Sequence, residues 1–365
     1  MPSLSESSAR PWLRRISAAV ATAVCLLLAG CGSSYSTPSP PPTPAPIGHA
    51  YAVTPNSLYA FQIAASNGGL ATVNVPSGAP GGTAIAADGQ GNHVYTLTSG
   101  GQISGYDISK SDGSLTTVAG SPWGGAGVGV AFLAVNSVGT ELYVPAVQDL
   151  VVVPYTIDST GALTIGLQVS TPAAPQTATI DPPSHFLYVP MGSAGTQLFQ
   201  IAAGGALVSQ MTIPPMGQGQ ALYAAINPAD TFAYISDGLT AVAAYSINAS
   251  TGDLTPLAGS PFTAGPGPSA LAMTPNGKFL YVATTPGVVA FAINADGSLT
   301  SVGSPQGFST PPVALSIDVT GTYLYILGAN TSRVAIDKID PNTGLLTAQP
   351  SIALPAVPTG IVTTP

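Results

Sequence analysis

Few residues in this sequence could carry out acid–base or metal chemistry. The 365 residues include three histidines, two cysteines and two glutamates. His49, His93 and His185 are isolated from one another, and no His or Cys cluster has the spacing of a metal site. His93 and His185 fall in expected hairpin turns, where we predict solvated side chains. We therefore expect neither a bound metal nor another cofactor.

Charge also restricts the classes of function. Only 22 residues are charged, and the formal net charge is −8. A basic nucleic-acid-binding surface is excluded by this balance. A helical bundle is also excluded, since two glutamates and three lysines cannot supply its charged faces. We predict no nucleic-acid partner.

Cys31 is the one cysteine in a recognisable chemical context. It follows Arg14 and Arg15, an apolar run over residues 16–30, and Leu28-Ala29-Gly30. This order resembles a bacterial lipobox and predicts a cleaved signal peptide over residues 1–30 with lipid on Cys31. The alternative is an ordinary secretory signal. Residues 31–47 contain six prolines and predict a semi-rigid tether.

The remaining polar candidates lie in loops rich in Gly and Pro. Trp123 could stack on a sugar or peptide, or could fill the gap between neighbouring sheets. Gln176, Gln218 and Gln220 could offer neutral amides to a polar ligand, or could cap the backbone of their own loops. The elements that position these loops therefore decide whether the candidates meet.

Those elements follow from a sevenfold repeat over residues 48–365. A strand tyrosine recurs every 44–48 residues, and the leucine after a Gly-containing turn recurs in step with it. The tyrosines are Tyr51, Tyr95, Tyr143, Tyr188, Tyr234, Tyr281 and Tyr325. The leucines are Leu70, Leu115, Leu163, Leu207, Leu254, Leu299 and Leu346.

Each repeat reads as four short strands, which predicts an all-β, seven-bladed β-propeller. The first repeat lacks its inner strand, while residues 358–365 match the inner strand of the sixth repeat. We therefore predict that the C-terminal strand pairs into the first blade. Tight packing between blades would account for the scarcity of charge.

The repeat motifs resemble those of the lactonase-like, YVTN-type propellers, which include the 6-phosphogluconolactonase type. Pro275-Asn-Gly-Lys-Phe-Leu-Tyr-Val282 and Leu257-Ala-Gly-Ser-Pro-Phe262 carry the resemblance. It implies His, Arg and Glu side chains near a central channel. Here Gln176 stands at the His position, Leu222 and Tyr223 at the Arg-His position, and Asp237 nearest the acidic position.

These departures favour a non-catalytic binding or scaffold module over an enzyme. We expect a monomer, lipid-anchored in the cell envelope, that binds an envelope protein or polysaccharide. Since Gly32 rather than an acidic residue follows Cys31, we expect the outer membrane rather than the inner one. The alternative is a diverged hydrolase of a sugar lactone, and a third possibility is a structural surface protein without a ligand. Gln176, Gln218, Gln220, Asp237 and Trp123 are the candidate ligand-binding residues.

Overall fold

Short strands paired with their sequence neighbours make up the fold. The computed structural model describes residues 44–127, 129, 132–216 and 219–365. Residues 1–43, with the expected signal peptide and Cys31, lie outside this part, as does Gln218. Within it, thirty strands form seven antiparallel sheets, which we number as blades 1–7. None of its helices is long and apolar enough to cross a membrane.

The strands of each blade follow one another along the chain, apart from one. Blade 1 contains β1 (His49–Val53), β2 (Leu58–Ile63) and β3 (Leu70–Val73), with β30 (Gly360–Thr364) as its inner strand. Blade 2 contains β4 (Ala84–Ala87), β5 (His93–Leu97), β6 (Ile103–Ile108) and β7 (Leu115–Thr117). Blade 3 contains β8 (Ala134–Val135), β9 (Glu141–Ala146), β10 (Val151–Ile157), β11 (Leu163–Ile165) and β12 (Val169–Ser170). Blade 4 contains β13 (Thr179–Ile180), β14 (Phe186–Pro190), β15 (Thr196–Ile201) and β16 (Leu207–Ile213), with a 3-10 turn at Ala203–Gly205.

The other three blades keep the same order. Blade 5 contains β17 (Tyr223–Ile226), β18 (Phe232–Ser236), β19 (Ala241–Ile247), β20 (Leu254–Pro256) and β21 (Phe262–Thr263). Blade 6 contains β22 (Leu271–Met273), β23 (Phe279–Thr284), β24 (Gly287–Ile293) and β25 (Leu299–Gly307). Blade 7 contains β26 (Pro312–Ile317), β27 (Tyr323–Gly328), β28 (Arg333–Ile339) and β29 (Leu346–Ala353). The seven expected leucines open the outer strands β3, β7, β11, β16, β20, β25 and β29.

The predicted ring closure is confirmed. Strand β30 pairs with all five residues of β1, from His49 opposite Thr364 to Val53 opposite Gly360. Neighbouring inner strands contact each other around the whole ring, and β30 contacts both β4 and β26. Seven apolar clusters fill the spaces between adjacent blades. Since most strand residues face another blade, few positions are left for charged side chains.

A ring of hydrogen bonds joins each blade to the next. The repeating tyrosine of one blade donates its buried hydroxyl to a glycine carbonyl in the outer hairpin of the following blade, at 2.7–3.1 Å. The pairs are Tyr51–Gly113, Tyr95–Gly161, Tyr143–Gly205, Tyr188–Gly252, Tyr234–Gly297, Tyr281–Gly344 and Tyr325–Gly68. The tyrosine marker is therefore one side of this contact between blades, and the leucine marker follows the glycine of the other side by two residues.

The backbone conformation and the close approach of neighbouring side chains both require glycine at the acceptor positions. All seven have φ between +68° and +81°, a region that favours glycine. At Gly252 an added Cβ would lie 2.7 Å from the Phe186 ring, and at Gly344 it would lie 2.4 Å from the Phe279 ring. The residue two positions before each tyrosine thus covers the glycine that accepts from that tyrosine.

A polar residue directly after an inner strand caps the turn that follows in six blades. Its side-chain oxygen accepts backbone N–H groups at the start of the second strand. The six residues are Asp88, Asn136, Asp181, Asn227, Thr274 and Asp318, and all are buried. Most of the buried carboxylates are thus parts of turns, in accord with the preference of Asp and Asn for such positions.

One position in the third strand distinguishes blade 7. In six blades it holds a buried aromatic side chain: Phe61, Tyr106, Tyr155, Phe199, Tyr245 or Phe291. In blade 7 it is Asp337, which is 2% exposed and has one buried oxygen without a hydrogen-bond partner among the described residues. Ala335 and Ile339, on the same face of β28, pack against blade 6. Burial raises the pKa of Asp337 to about 6.

Candidate functional site

The inner strands enclose a central channel. Its volume is about 830 Å³, and residues from all seven blades line it. This volume is within the range of small-molecule sites in proteins. The channel is therefore a candidate ligand site.

The channel wall is almost free of charge. Asp181 is the one charged side chain among the described lining residues, which include no Lys, Arg, His or Glu. Several hydroxyl groups of the wall are already engaged. Thr177 donates to the Leu222 carbonyl at 2.9 Å, and Thr179 donates to the Ala224 carbonyl at 2.8 Å, so both join blade 4 to blade 5.

Aromatic side chains of two blades meet in this wall. Phe132 precedes the inner strand of blade 3 and Tyr223 opens that of blade 5. Their rings pack edge to face with centroids 5.5 Å apart. Burial raises the pKa of Tyr223 to about 12, so its hydroxyl stays protonated and can donate. That hydroxyl has no hydrogen bond to another described residue, unlike those of the seven repeating tyrosines.

Asp181 lies toward the other end of the wall, because it directly follows the inner strand β13. Its Oδ1 atom accepts the N–H groups of His185 and Phe186, at 2.7 and 2.8 Å. Its Oδ2 atom is buried and has no hydrogen-bond partner among the described residues. Burial raises the pKa of Asp181, while the two N–H donors act in the opposite direction.

The structure brings two of the sequence candidates together, outside the channel wall. The Gln220 N–H donates to the Asp237 carbonyl at 2.7 Å, and both residues line a small cleft between blades 4 and 5. The cleft holds about 10 Å³, room for about one water. The Asp237 Oδ1 atom caps its own hairpin through three N–H groups. The Gln176 Nε2 atom donates to the Ala174 carbonyl at 3.0 Å, within its own loop.

Trp123 packs within the interface between blades 2 and 3. Its backbone forms two hydrogen bonds with Ile103, each 2.8 Å long. Its ring covers Gly105, where an added Cβ would lie 2.8 Å from the ring. The half-buried ring also joins the apolar cluster of these two blades. This environment matches the gap-filling alternative, and ligand binding by Trp123 and the other candidates stays a prediction.

The histidines do not form a site together. His93 lies between Asp88 and Asp107, with N–O distances of 3.2 and 3.3 Å, and its side chain is only 12% exposed rather than solvated. His49 is buried, and its Nδ1 atom lies 2.9 Å from the Pro365 carbonyl. His185 is exposed, as expected. Within the described part of the chain, no three His, Cys, Asp or Glu side chains are grouped to hold a metal.

Sequence reasoning identified part of the wall and missed the rest. Leu222 and Tyr223 stand at positions aligned by the repeat, and both line the channel. Phe132 lies in a loop outside the repeat pattern and carried no signal. Asp181 belongs to the repeated turn, and its bare oxygen could not be recognised from residue type.

Comparisons with known proteins agree with this architecture. Residues 45–359 match the family model described as a lactonase, 7-bladed β-propeller. The chain is 28% identical over 178 residues to a 6-phosphogluconolactonase of Pectobacterium carotovorum, a match that covers 45% of this chain and 53% of that protein. A 6-phosphogluconolactonase of Yersinia pestis is 28% identical over 185 residues, or 48% of this chain and 55% of that protein. The chain thus spans about half the length of the curated relatives it matches.

Solved structures show the same fold at low identity. A Bacteroides fragilis protein provisionally named a 6-phosphogluconolactonase superposes with a TM-score of 0.75 at 18% identity, covering 87% of this chain and 98% of that one. A periplasmic gluconolactonase of Pseudomonas aeruginosa superposes with a TM-score of 0.71 at 15% identity, covering 87% and 99%.

Proposed function

We propose that this chain, which belongs to the seven-bladed β-propeller lactonase family, binds and hydrolyses an uncharged sugar lactone in its central channel. The channel is the observation that carries the proposal. It has the volume of a small-molecule site, and Asp181 is the one carboxylic acid among its described lining residues. The names of the relatives favour this hydrolase over the non-catalytic scaffold that the composition suggested.

The wall determines the class of lactone. A phosphorylated sugar would bring negative charge to a site that offers no Lys, Arg or His among the described lining residues and already holds Asp181. Buried charge without a partner of opposite sign is costly. An uncharged lactone avoids that cost. The rings of Tyr223 and Phe132 offer an apolar surface toward the end of the channel opposite Asp181.

Hydrolysis adds one water to the lactone ring. The water oxygen attacks the carbonyl carbon, the ring C–O bond breaks, and a hydroxy acid forms. The attacking water must lose a proton to a base, and the protonated base can return a proton to the ring oxygen as its bond to the carbonyl carbon breaks. Asp181 is the one carboxylate of the described wall, and burial makes it a stronger base by raising its pKa.

The test measures initial rates of δ-gluconolactone and 6-phosphogluconolactone hydrolysis with the full chain, above the rate in buffer. We expect turnover of the first and little of the second. Asp181→Asn should lower the rate about 100-fold or more, the range for a general base. This variant should fold, since Asn136 and Asn227 cap the same turn in other blades. Asp318→Asn is the matched control, because Asp318 caps the equivalent turn of blade 7 and does not line the channel. No rate above buffer would refute hydrolysis.

A binding module without catalysis is the second candidate. The lack of Lys, Arg, His and Glu among the described lining residues favours it, because such side chains usually stabilise charge in a hydrolytic transition state. Binding of gluconolactone, or of an envelope protein or polysaccharide, without turnover would support this candidate.

We also propose that the chain is exported and anchored in the bacterial envelope through lipid on Cys31. Arg14 and Arg15, the apolar run over 16–30 and the Leu28-Ala29-Gly30 sequence support it. Gly32 favours the outer membrane. Labelled palmitate should enter the native chain but not the Cys31→Ser variant, and equal labelling of the two would contradict the proposal.

A further inference from the structure

Two aspartates meet at the turns that close the inner strands of blades 4 and 5. The first is Asp181, and the second is Asp230, three residues after the turn cap Asn227. Asp230 has φ of +53°, in the left-handed region that an Asp adopts only at a cost. In blades 2, 3, 6 and 7 the equivalent residue is a glycine: Gly91, Gly139, Gly277 or Gly321.

The repeat shows why this pair is unusual. In blade 3 the equivalent residue, Gly139, approaches the cap of the preceding blade so closely that an added Cβ would lie 3.2 Å from the Asp88 Oδ2 atom. Asp230 stands in the same relation to Asp181. Of the six blade turns with a capping side chain, only this pair of neighbours has an aspartate at both equivalent positions, and the Asp181 charge acts on Asp230.

Both carboxylates have an unsatisfied oxygen. The Asp181 Oδ2 and Asp230 Oδ1 atoms are buried, and neither has a hydrogen-bond partner among the described residues. The whole Asp181 side chain is 2% exposed. The equivalent Asp88 is different, because its Oδ2 atom accepts from the backbone and ring of His93. Burial raises the pKa of Asp230 to about 6, and the Asp181 charge adds to the effect.

Two close carboxylates with bare, buried oxygens repel each other and lack the partners that buried polar groups have. We propose that Asp181 and Asp230 bind a divalent cation, of the calcium or magnesium class, at this end of the channel. Such cations take oxygen ligands, with carbonyl groups and waters completing the shell. Two carboxylates and one divalent ion sum to zero charge, so the filled site would add no net charge to the channel.

The test compares the full chain in EDTA with the chain in CaCl₂ or MgCl₂, using thermal unfolding and titration calorimetry. We expect binding of one ion per chain. At a concentration about 100 times the Kd, the Tm should rise by a few degrees.

Asp230→Gly is the matched variant, since it restores the residue of four other blades and relieves the positive φ. In EDTA we expect it to melt above the native chain, and the cation should no longer change its Tm. Asp181→Asn, which keeps the turn cap, should also lose the cation effect.

Three results would overturn the inference. The first is a native chain whose Tm and binding heat do not respond to either ion. The second is a response that persists in Asp230→Gly. The third is a response that persists in Asp181→Asn. Lactone hydrolysis is measured in EDTA, where the Asp181 carboxylate is free of the cation, so failure of hydrolysis is distinguishable from failure of cation binding.

Discussion

The contact between Gly252 and blade 4 can be tested by adding one methyl group. In Gly252→Ala the new Cβ would lie 2.7 Å from the buried Phe186 ring, and the residue would keep a φ of +75°. The left-handed conformation costs about 1–2 kcal/mol for alanine. Forcing a buried ring aside costs about 1–3 kcal/mol. Displacement of the turn also weakens the 2.7 Å bond from Tyr188 to the Gly252 carbonyl, worth about 1 kcal/mol. We expect a total loss of about 3–6 kcal/mol.

Gly204→Ala is the matched control. Gly204 lies in the outer hairpin of blade 4 with the same φ of +75°, yet an added Cβ would meet no atom within 4 Å. It should lose only the conformational cost of about 1–2 kcal/mol. Urea unfolding followed by circular dichroism measures both variants, and Tyr188→Phe isolates the hydrogen bond. Equal destabilisation of the two glycine variants would refute the role assigned to the interblade contact.

Two further predictions concern ring closure and the buried acid of blade 7. Deletion of residues 357–365 removes β30 and uncovers β1, whose five residues are all buried. We therefore expect the truncated chain to lose cooperative unfolding in calorimetry. A truncated chain that melts like the native one would contradict ring closure by β30. The folded pKa of Asp337 is about 6, above the value of 3.8 usual for an aspartate, so folding favours its protonated form. Stability should therefore fall as pH rises from about 4 through 6. Asp337→Phe restores the aromatic residue of the other blades and should flatten that fall in urea midpoints; an unchanged pH profile would argue against this origin.

The regular part of the fold could be predicted because local patterns repeat in step. Tyr143 and Leu207 each mark a position found in every blade, and the structure shows Tyr143 bonded to the glycine two residues before Leu207 in the next blade. The match between residues 358–365 and an inner strand was likewise enough to predict the partner of β1.

The site could be predicted only in part, because its properties depend on contacts between blades. Trp123 has the residue type of a ligand-binding side chain, but its environment depends on the approach of Gly105 in β6, the strand of blade 2 that also pairs with the Trp123 backbone. Asp230 is ordinary within its own turn. It becomes distinctive only beside Asp181, 49 residues earlier. The pattern within a single repeat does not predict such pairs, because their members belong to different repeats.

The ring of Tyr–Gly bonds has a consequence for how such a chain can change over generations. The donor and acceptor of each bond belong to consecutive repeats, 62–66 residues apart along the chain in the six bonds that precede the closing one. A duplicated or exchanged repeat therefore contains both a tyrosine that can bond to the following blade and a glycine that can accept from the preceding blade. The Tyr–Gly bonds are therefore interchangeable between blades, whereas each channel side chain belongs to one blade only. Evolution can thus retain the Tyr–Gly bonds between blades while the channel residues are substituted one at a time.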